Sequence, residues 1–295
     1  MDRFATPAPA AIGMDVARAL SEDLGTGDVT ASLLVDEAQL GYVIAKEAAV
    51  IAGRPWFDAC FRSLDPAVRI DWRVSEGEHV DAQTVVCTFE GRSRALVSAE
   101  RCSLNFLQTL SATATRTAEF VAAVAGTRAR ILDTRKTLPG LRLAQKYAVR
   151  VGGGVNHRIG LFDAVMLKEN HVHAAGSIAA AAATARARYP ELPLIIEVES
   201  LDELEQALVT HCTRILIDDF SLADMRAAVG RAAGRTPLEV SGSVSLETVR
   251  DIAETGVDYI SVGALTKHVR AVDFSMRLGL PPGWGNRGGM PLSRA

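Results

Sequence analysis

Cysteine is scarce in this 295-residue chain: only Cys60, Cys87, Cys102 and Cys212 occur, widely spaced and without a C-x-x-C pair. That spacing builds neither a disulfide framework nor a thiolate metal knuckle, so the four read as reduced residues of a cytosolic protein. A surplus of either charge is also lacking. Thirty-two Lys and Arg face 35 Asp and Glu, a net charge of −3, which leaves no electrostatic footprint for nucleic acid or an anionic membrane. A local basic cluster can still bind a small anion. No long apolar run is present: the Ala-rich stretch from Ile178 is broken by Arg186 and Arg188, so it spans no membrane. The opening residues, MDRFATPAPA, have no apolar core of a secretory signal, and the expected location is the cytoplasm. What is present is 48% hydrophobic and 23% charged residues, the balance of a soluble globular protein long enough for an α/β barrel or two ordinary domains.

Two styles of sequence meet near Gly126. Before it the pattern is mixed. Met14 to Leu20 suits a short helix, followed by the loop-rich SEDLGTGDVTASLL. YVIAKEAAVIAG and VRIDWRV read as short strands, and Val74 to Gly91 reads as strand, tight turn, strand, like the hairpin of biotinyl and lipoyl carriers. It lacks the Asp-Lys signature of a modified lysine, so no swinging arm is expected. A long helix follows, with Ser98 as its N-cap, Leu104, Leu107, Leu110 and Ala114 at helical spacing, and Gly126 as its stop. Arg101 then falls in the first turn, where it opposes the helix dipole and reads as an exposed side chain.

After Gly126 short apolar runs alternate with helical patterns. SLDELEQAL carries a capping box, Ser200 with Glu203, and SLETVRDIAETG begins at Ser245 and stops at Gly256. Strands alternating with helices imply parallel βαβ units, at a spacing that suits a (β/α) barrel.

Active sites of such barrels lie at the carboxyl ends of the strands. There this sequence places charge: Asp133, Arg135 and Lys136 after one run, Lys168 after DAVML, Glu197 and Glu199 on IIEVES, Asp218 and Asp219 on ILIDDF, and Asn156, His157 and Arg158 on a Gly-rich loop. Strand alternation lets only one of Asp218 and Asp219 point inward. The last two runs end instead in Ser241-Gly242-Ser243 and Val262-Gly263-Ala264, small-residue loops of the kind that bind phosphate through backbone N–H groups. A ligand with a phosphate at one end, a polyol or Mg²⁺ at the carboxylates, and negative charge at the basic flank would fit. Lys168 could instead form a Schiff base, as lysines do in barrel aldolases, although its charged neighbours suit an anion-and-metal site better. His171-Val172-His173 lacks a third partner for zinc.

The stretch DTRKTLPGLRLAQKYAVRVGGGVNHRIGLFDAVMLKENH resembles the signature region of the quinolinate phosphoribosyltransferase family. So do ALSEDLGTGDVT, AERCSLNFLQTLSATAT, IEVES, ILIDDFS and SVGALTKHVRAVDFSM, so the likeness runs from about Met14 to about Leu280. One departure is visible: the family usually has Gly or Asn where this chain has Ser243. Relatives linked to molybdate transport look similar, but the basic set and R-x-G-G-G-x-N-H-R favour quinolinate.

The resemblance implies an N-terminal α/β sandwich-like domain (residues 1–115, with 271–285 packing back onto it), an open (β/α) barrel of fewer than eight strands (116–270) and a loose tail (286–295). It implies transfer of a phosphoribosyl group from phosphoribosyl pyrophosphate to quinolinate, with decarboxylation, giving nicotinate mononucleotide, pyrophosphate and CO₂ with Mg²⁺. Arg101, Thr134, Arg135, Lys136, His157, Arg158, Lys168 and His171 would hold the anionic substrates. Glu197 and Asp218 would face the ribose and Mg²⁺, and Ser241, Gly242, Ser243, Val262, Gly263 and Ala264 the 5′-phosphate. Lys136, Lys168, Glu197 and Asp218 are the catalytic candidates, with the proton donor after decarboxylation left open between the lysines. It further implies a homodimer, or a higher oligomer of such dimers, in which Arg101 serves the neighbour's site.

Overall fold

The structure is a computed structural model that describes residues 4–283. The tail expected at 286–295 lies outside the described residues. In chain order the first elements are α1 (Pro9–Leu24), β1 (Ala38–Ala45), β2 (Ala49–Val50), α2 (Arg54–Leu64), β3 (Arg69–Trp72), β4 (His79–Val80), β5 (Val85–Arg92) and α3 (Ser93–Ala123). Next come β6 (Arg130–Leu132), α4 (Arg142–Val151), β7 (Val165–Leu167), α5 (Glu169–Ala175), α6 (Ile178–Arg188), β8 (Leu194–Val198) and α7 (Leu201–Leu208). The chain continues through β9 (Arg214–Asp218), α8 (Leu222–Ala232), β10 (Leu238–Ser241), α9 (Val249–Ala253), β11 (Tyr259–Ser261), α10 (Ala264–Lys267) and β12 (Phe274–Leu278).

Contacts divide the chain into two units. The described residues up to Thr115, the stretch Pro139–Gly152 and those from Val269 form the first; Arg116–Leu138 and Gly153–His268 form the second. Pro139–Gly152 thus groups with the N-terminal unit, within a region that the sequence alone would give entirely to the barrel.

The first unit is built on an antiparallel sheet in the order β12-β1-β5-β3. Its buried face meets Phe57 and Phe61 of α2 and Leu96, Leu104 and Leu107 of α3, with Phe61 and Phe89 rings 5.3 Å apart. Burying such aromatic and aliphatic side chains contributes roughly 1.5–3 kcal/mol each. The segment 74–91 is not a closed hairpin. β4 pairs with β2, while β5 pairs with β1 and β3. The reason lies in the turn between them: Gln83 N–H donates to the Ala45 carbonyl and Ala45 N–H to that of Thr84, which delivers β5 to β1. The long helix also starts earlier than its leucine spacing suggests, at Ser93. Ser98 lies within it and donates to Asp28 Oδ2 at 2.8 Å. Arg101 is exposed and sits beyond the first turn, so the dipole cost expected for it does not arise.

The second unit is a parallel sheet in the order β6-β11-β10-β9-β8-β7. Val155 adds a parallel bridge to Leu132 on the outer side of β6. Among the described residues no ladder joins Val155 to β7, so the barrel is open, with fewer than eight strands. The strands are buried on both faces, hence their continuous Val, Ile and Leu. Serines cap three of the returning helices: Ser177, Ser200 and Ser221 accept from the N–H groups of Ala180, Glu203 and Asp224. The Glu203 carboxylate reaches back to Glu199 N–H at 2.8 Å, one residue before the cap. No described helix is long and apolar enough to cross a membrane.

Candidate active site

All six strands of the parallel sheet carry, or lead into, polar or small residues at their carboxyl ends. β6 leads into Asp133, Thr134, Arg135 and Lys136; β7 into Lys168; β8 carries Glu197 as its fourth residue; β9 ends at Asp218 and β10 at Ser241; β11 leads to Gly263. Parallel register sets them side by side, with Asp218 opposite Ser241.

The basic flank comes first. Lys136 N–H donates to Thr134 Oγ1 at 3.1 Å, and Thr266 Oγ1 donates to the Lys136 carbonyl at 2.8 Å. This turn lays the lysine stem along Gly263, where an added Cβ would stand 3.2 Å from Lys136 Cδ. Arg158 donates to the Ala164 carbonyl (3.3 Å) and lies 3.6 Å from Met166 Sδ. Burial, and then the neighbouring Arg135 cation, pull the Arg158 pKa below its usual value, opposed by Asp163 and Glu197. A guanidinium stays charged regardless, so two like charges are held close together, an arrangement that an anionic ligand relieves.

Lys168 Nζ donates to Glu197 Oε2 at 2.6 Å; the lysine side chain is 47% exposed and the glutamate 11%. One of three ammonium donors is so used, leaving two for a ligand. Lys168 N–H donates to His171 Nδ1 at 3.1 Å, which fixes the proton of a neutral His171 on Nε2. Around Glu197 the charge turns negative. The exposed Glu199 carboxyl is pushed up, first by Glu169 and then by burial, Glu203, Asp218 and Glu197. A cationic flank thus adjoins an anionic one.

At the small-residue loops, Gly242 has φ +108°, and a Cβ there would overlap the Asp219 carboxylate oxygen. The positive φ calls for glycine, and the Asp219 side chain would also have to move aside for any Cβ. Ser243 has φ +28°, within the region that favours glycine. Ser243→Gly is therefore expected to stabilise the protein by about 0.5–1 kcal/mol. Thermal melting checks this; a lower midpoint would mean that the serine makes a compensating interaction. At the second loop Val262 is tied into the sheet. Its N–H donates to the Leu132 carbonyl at 2.9 Å and its side chain is buried, which leaves the N–H groups of Gly263 and Ala264 as that loop's donors for a phosphate.

Beneath these groups lies support that sequence reasoning left unassigned. Asp133 is fully buried and accepts from His157 N–H (2.8 Å) and Asn156 Nδ2 (2.6 Å). Glu239, also fully buried, accepts from Arg214 Nη1 at 2.8 Å and from the Ser261 hydroxyl. His157 Nε2 stands 3.3 Å from Glu239 Oε2. The sequence signal was a lone glutamate between Leu238 and Val240 in a strand. Burial pushes the Glu239 carboxyl up, but His157, Ser261 and Arg214 outweigh it and hold its pKa below the usual value of 4.5. Its stabilising effect is therefore complete above that pH and is lost as pH falls through the depressed folded-state value. The stability gap between wild type and Glu239→Gln should narrow as pH drops below 4.5, measured by urea unfolding. A gap independent of pH would contradict this assignment.

An open α/β barrel whose strand ends join a cationic cluster to paired carboxylates and two small-residue loops has the framework of a barrel enzyme for anionic, phosphorylated substrates. The chain belongs to the quinolinate phosphoribosyltransferase family. Residues 28–111 match the model of the quinolinate phosphoribosyl transferase N-terminal domain and residues 113–277 that of its C-terminal domain. A carboxylating nicotinate-nucleotide pyrophosphorylase of Mycobacterium leprae is 44% identical over 274 residues, covering 89% of this chain and 95% of the relative. A mitochondrial decarboxylating quinolinate phosphoribosyltransferase of Nicotiana tabacum is 41% identical over 283 residues, covering 88% and 80%. The solved nicotinate-nucleotide pyrophosphorylase of Francisella tularensis superposes with a TM-score of 0.92 at 41% identity, over 95% of this chain and all of that one.

Proposed function

We propose that this protein transfers the phosphoribosyl group of phosphoribosyl pyrophosphate to quinolinate and decarboxylates the product, yielding nicotinate mononucleotide, pyrophosphate and CO₂, a step of NAD synthesis. The observation that carries this reading is family membership across both domains, together with a cationic cluster beside two carboxylates.

Quinolinate is a dianion. Arg135 and Arg158 offer planar forks for its carboxylates, and Lys136 and Lys168 offer point charges. Glu197 and Asp218 face the ribose hydroxyls. As pyrophosphate departs, positive charge grows at the anomeric carbon, and fixed carboxylates stabilise it while the lysines stabilise the leaving anion. The loops at 241–243 and 263–264 receive the 5′-phosphate. Loss of CO₂ leaves an electron pair on the ring carbon, which takes up a proton; Lys136 and Lys168 are the nearest candidate acids by this reading. Lys168 Nζ is engaged by the Glu197 carboxylate, a setting that suits an anion-binding ammonium better than a Schiff-base nucleophile, which needs an apolar pocket or cationic neighbours alone.

Among the described residues no group of three or more His, Cys, Asp and Glu side chains could hold a metal. Two hard carboxylates on adjacent strands fit Mg²⁺ that takes its other ligands from water and substrate phosphate, so Glu197 and Asp218 are the candidates. When bound, Mg²⁺ would neutralise pyrophosphate charge. We place the enzyme in the cytoplasm, as a homodimer in which Arg101 serves the neighbouring site.

The test is turnover of quinolinate, with nicotinic acid as control substrate, phosphoribosyl pyrophosphate and Mg²⁺ present, and nicotinate mononucleotide as the readout. Product from quinolinate alone is expected. A folded protein that uses neither substrate would overturn the reading.

A further inference from the structure

Glu239 has no place in the chemistry just described, and it is costly where it stands. A fully buried carboxylate must be repaid by hydrogen bonds from groups that are themselves fixed. Its hydrogen bonds come from two other elements, Arg214 at the start of β9 and Ser261 at the end of β11, while His157, on the loop that enters after α4, stands 3.3 Å away as a charge–dipole contact without hydrogen-bond geometry. The first two fasten neighbouring strands. The third does something different.

His157 Nδ1 accepts the N–H of Arg158 at 2.6 Å. An imidazole nitrogen that accepts carries no proton, so the ring proton sits on Nε2, which stands 3.3 Å from Glu239 Oε2, close enough for electrostatic attraction although not aligned as a hydrogen bond. The carboxylate thereby favours the tautomer that leaves Nδ1 open for Arg158. The main chain of the same turn is pinned from the other side, by Asp133 Oδ1 at His157 N–H and Asp133 Oδ2 at Asn156 Nδ2. Two buried carboxylates therefore fix the turn 156–158. That turn aims the Arg158 guanidinium at Ala164 and Met166, close to Arg135 and Glu197.

We infer that Glu239 is a positioning residue for the quinolinate end of the site, acting through the His157 ring on the placement of Arg158. The inference rests on the proposed reaction. It also separates Glu239 from its own strand neighbours, because Ser241 and Gly242 lie two and three residues further along and serve the other substrate. If Glu239 only held β10 in place, the phosphate loop would suffer at least as much as the quinolinate end.

Steady-state kinetics with both substrates varied decides between these. Glu239→Met keeps the volume and removes the acceptors. It should raise KM for quinolinate about tenfold or more, while KM for phosphoribosyl pyrophosphate changes less than about threefold. Glu239→Gln should recover most of the loss, because its amide oxygen can still face Arg214 and His157 while its NH₂ meets the Ser261 hydroxyl. In a His157→Gln background, Glu239→Met should add little further effect on KM for quinolinate. Equal rises in both KM values, or additive effects of the two changes, would overturn the inference. A second measurement needs neither activity nor a stable Met variant. Imidazole ¹⁵N spectra of the wild-type protein, with the His157 signal assigned by its loss in His157→Gln, should show a neutral ring protonated on Nε2. A ring protonated on Nδ1 would overturn the inference. Absence of quinolinate turnover in the wild type would refute the proposed reaction instead, and the spectrum would still judge the network.

Discussion

Lys168→Ala should lower kcat/KM by about a thousandfold, close to 4 kcal/mol of transition-state stabilisation, and move the melting midpoint by no more than about 4 °C. The small stability effect follows from exposure. An ion pair whose lysine is 47% open to solvent contributes about 0–1 kcal/mol. The large activity effect follows from placement. Nζ sits on Glu197, with donors to spare, at the junction of the cationic and anionic flanks. Lys168→Arg should not restore activity, since a broad planar guanidinium cannot occupy the position of a compact ammonium. Measured rates within fivefold of wild type would remove Lys168 from the catalytic set.

Mixing two inactive variants should restore activity if Arg101 serves a neighbour. In Arg101→Ala the barrel residues are intact; in Lys168→Ala, Arg101 is intact. Random exchange makes half of the dimers hybrid, and each hybrid has one intact site of two, so about a quarter of wild-type activity should return. Against residual rates near a thousandth of wild type, that is a rise of roughly two orders of magnitude. Subunit exchange must be verified with tagged chains. Verified exchange without recovery would mean that each site is complete within one chain.

The parallel unit was legible because its signals are local. A run such as DAVML followed directly by Lys168 carries both the strand and its polar end, and Ser200 with Glu203 marks the next helix start. Non-local pairing was not legible. Nothing in 74–91 says that β4 seeks β2; that depends on Ala49 and Val50, about thirty residues earlier in the chain. The leucine spacing of α3 identified its buried stripe but not its start, because the turns before Ser98 are held by contacts elsewhere in the fold. Composition marked Val262, Gly263 and Ala264 as one loop but not which of their N–H groups is engaged: a ladder bond to Leu132 takes that of Val262. Glu239 was visible as a residue and opaque as a role. Its meaning depends on Arg214, Ser261 and His157, which only register and loop entry bring to it.

The chain passes between its two units at four places, after Thr115, Leu138, Gly152 and His268. The third stretch of this path, α4, is claimed by the first unit: Tyr147 packs 5.4 Å from the Trp56 ring and donates to Glu76, and Arg150 donates to the Phe4 carbonyl. Yet α4 is encoded between two pieces of the barrel. A gene cut once near codon 116 would therefore yield two fragments that each misplace this helix. One would lack a wall of its core, and the other would carry that wall as an unburied apolar segment. Gene fission, exchange of halves between relatives and expression of the barrel alone are all disfavoured by this single excursion, and it ties the inheritance of both units to one uninterrupted reading frame.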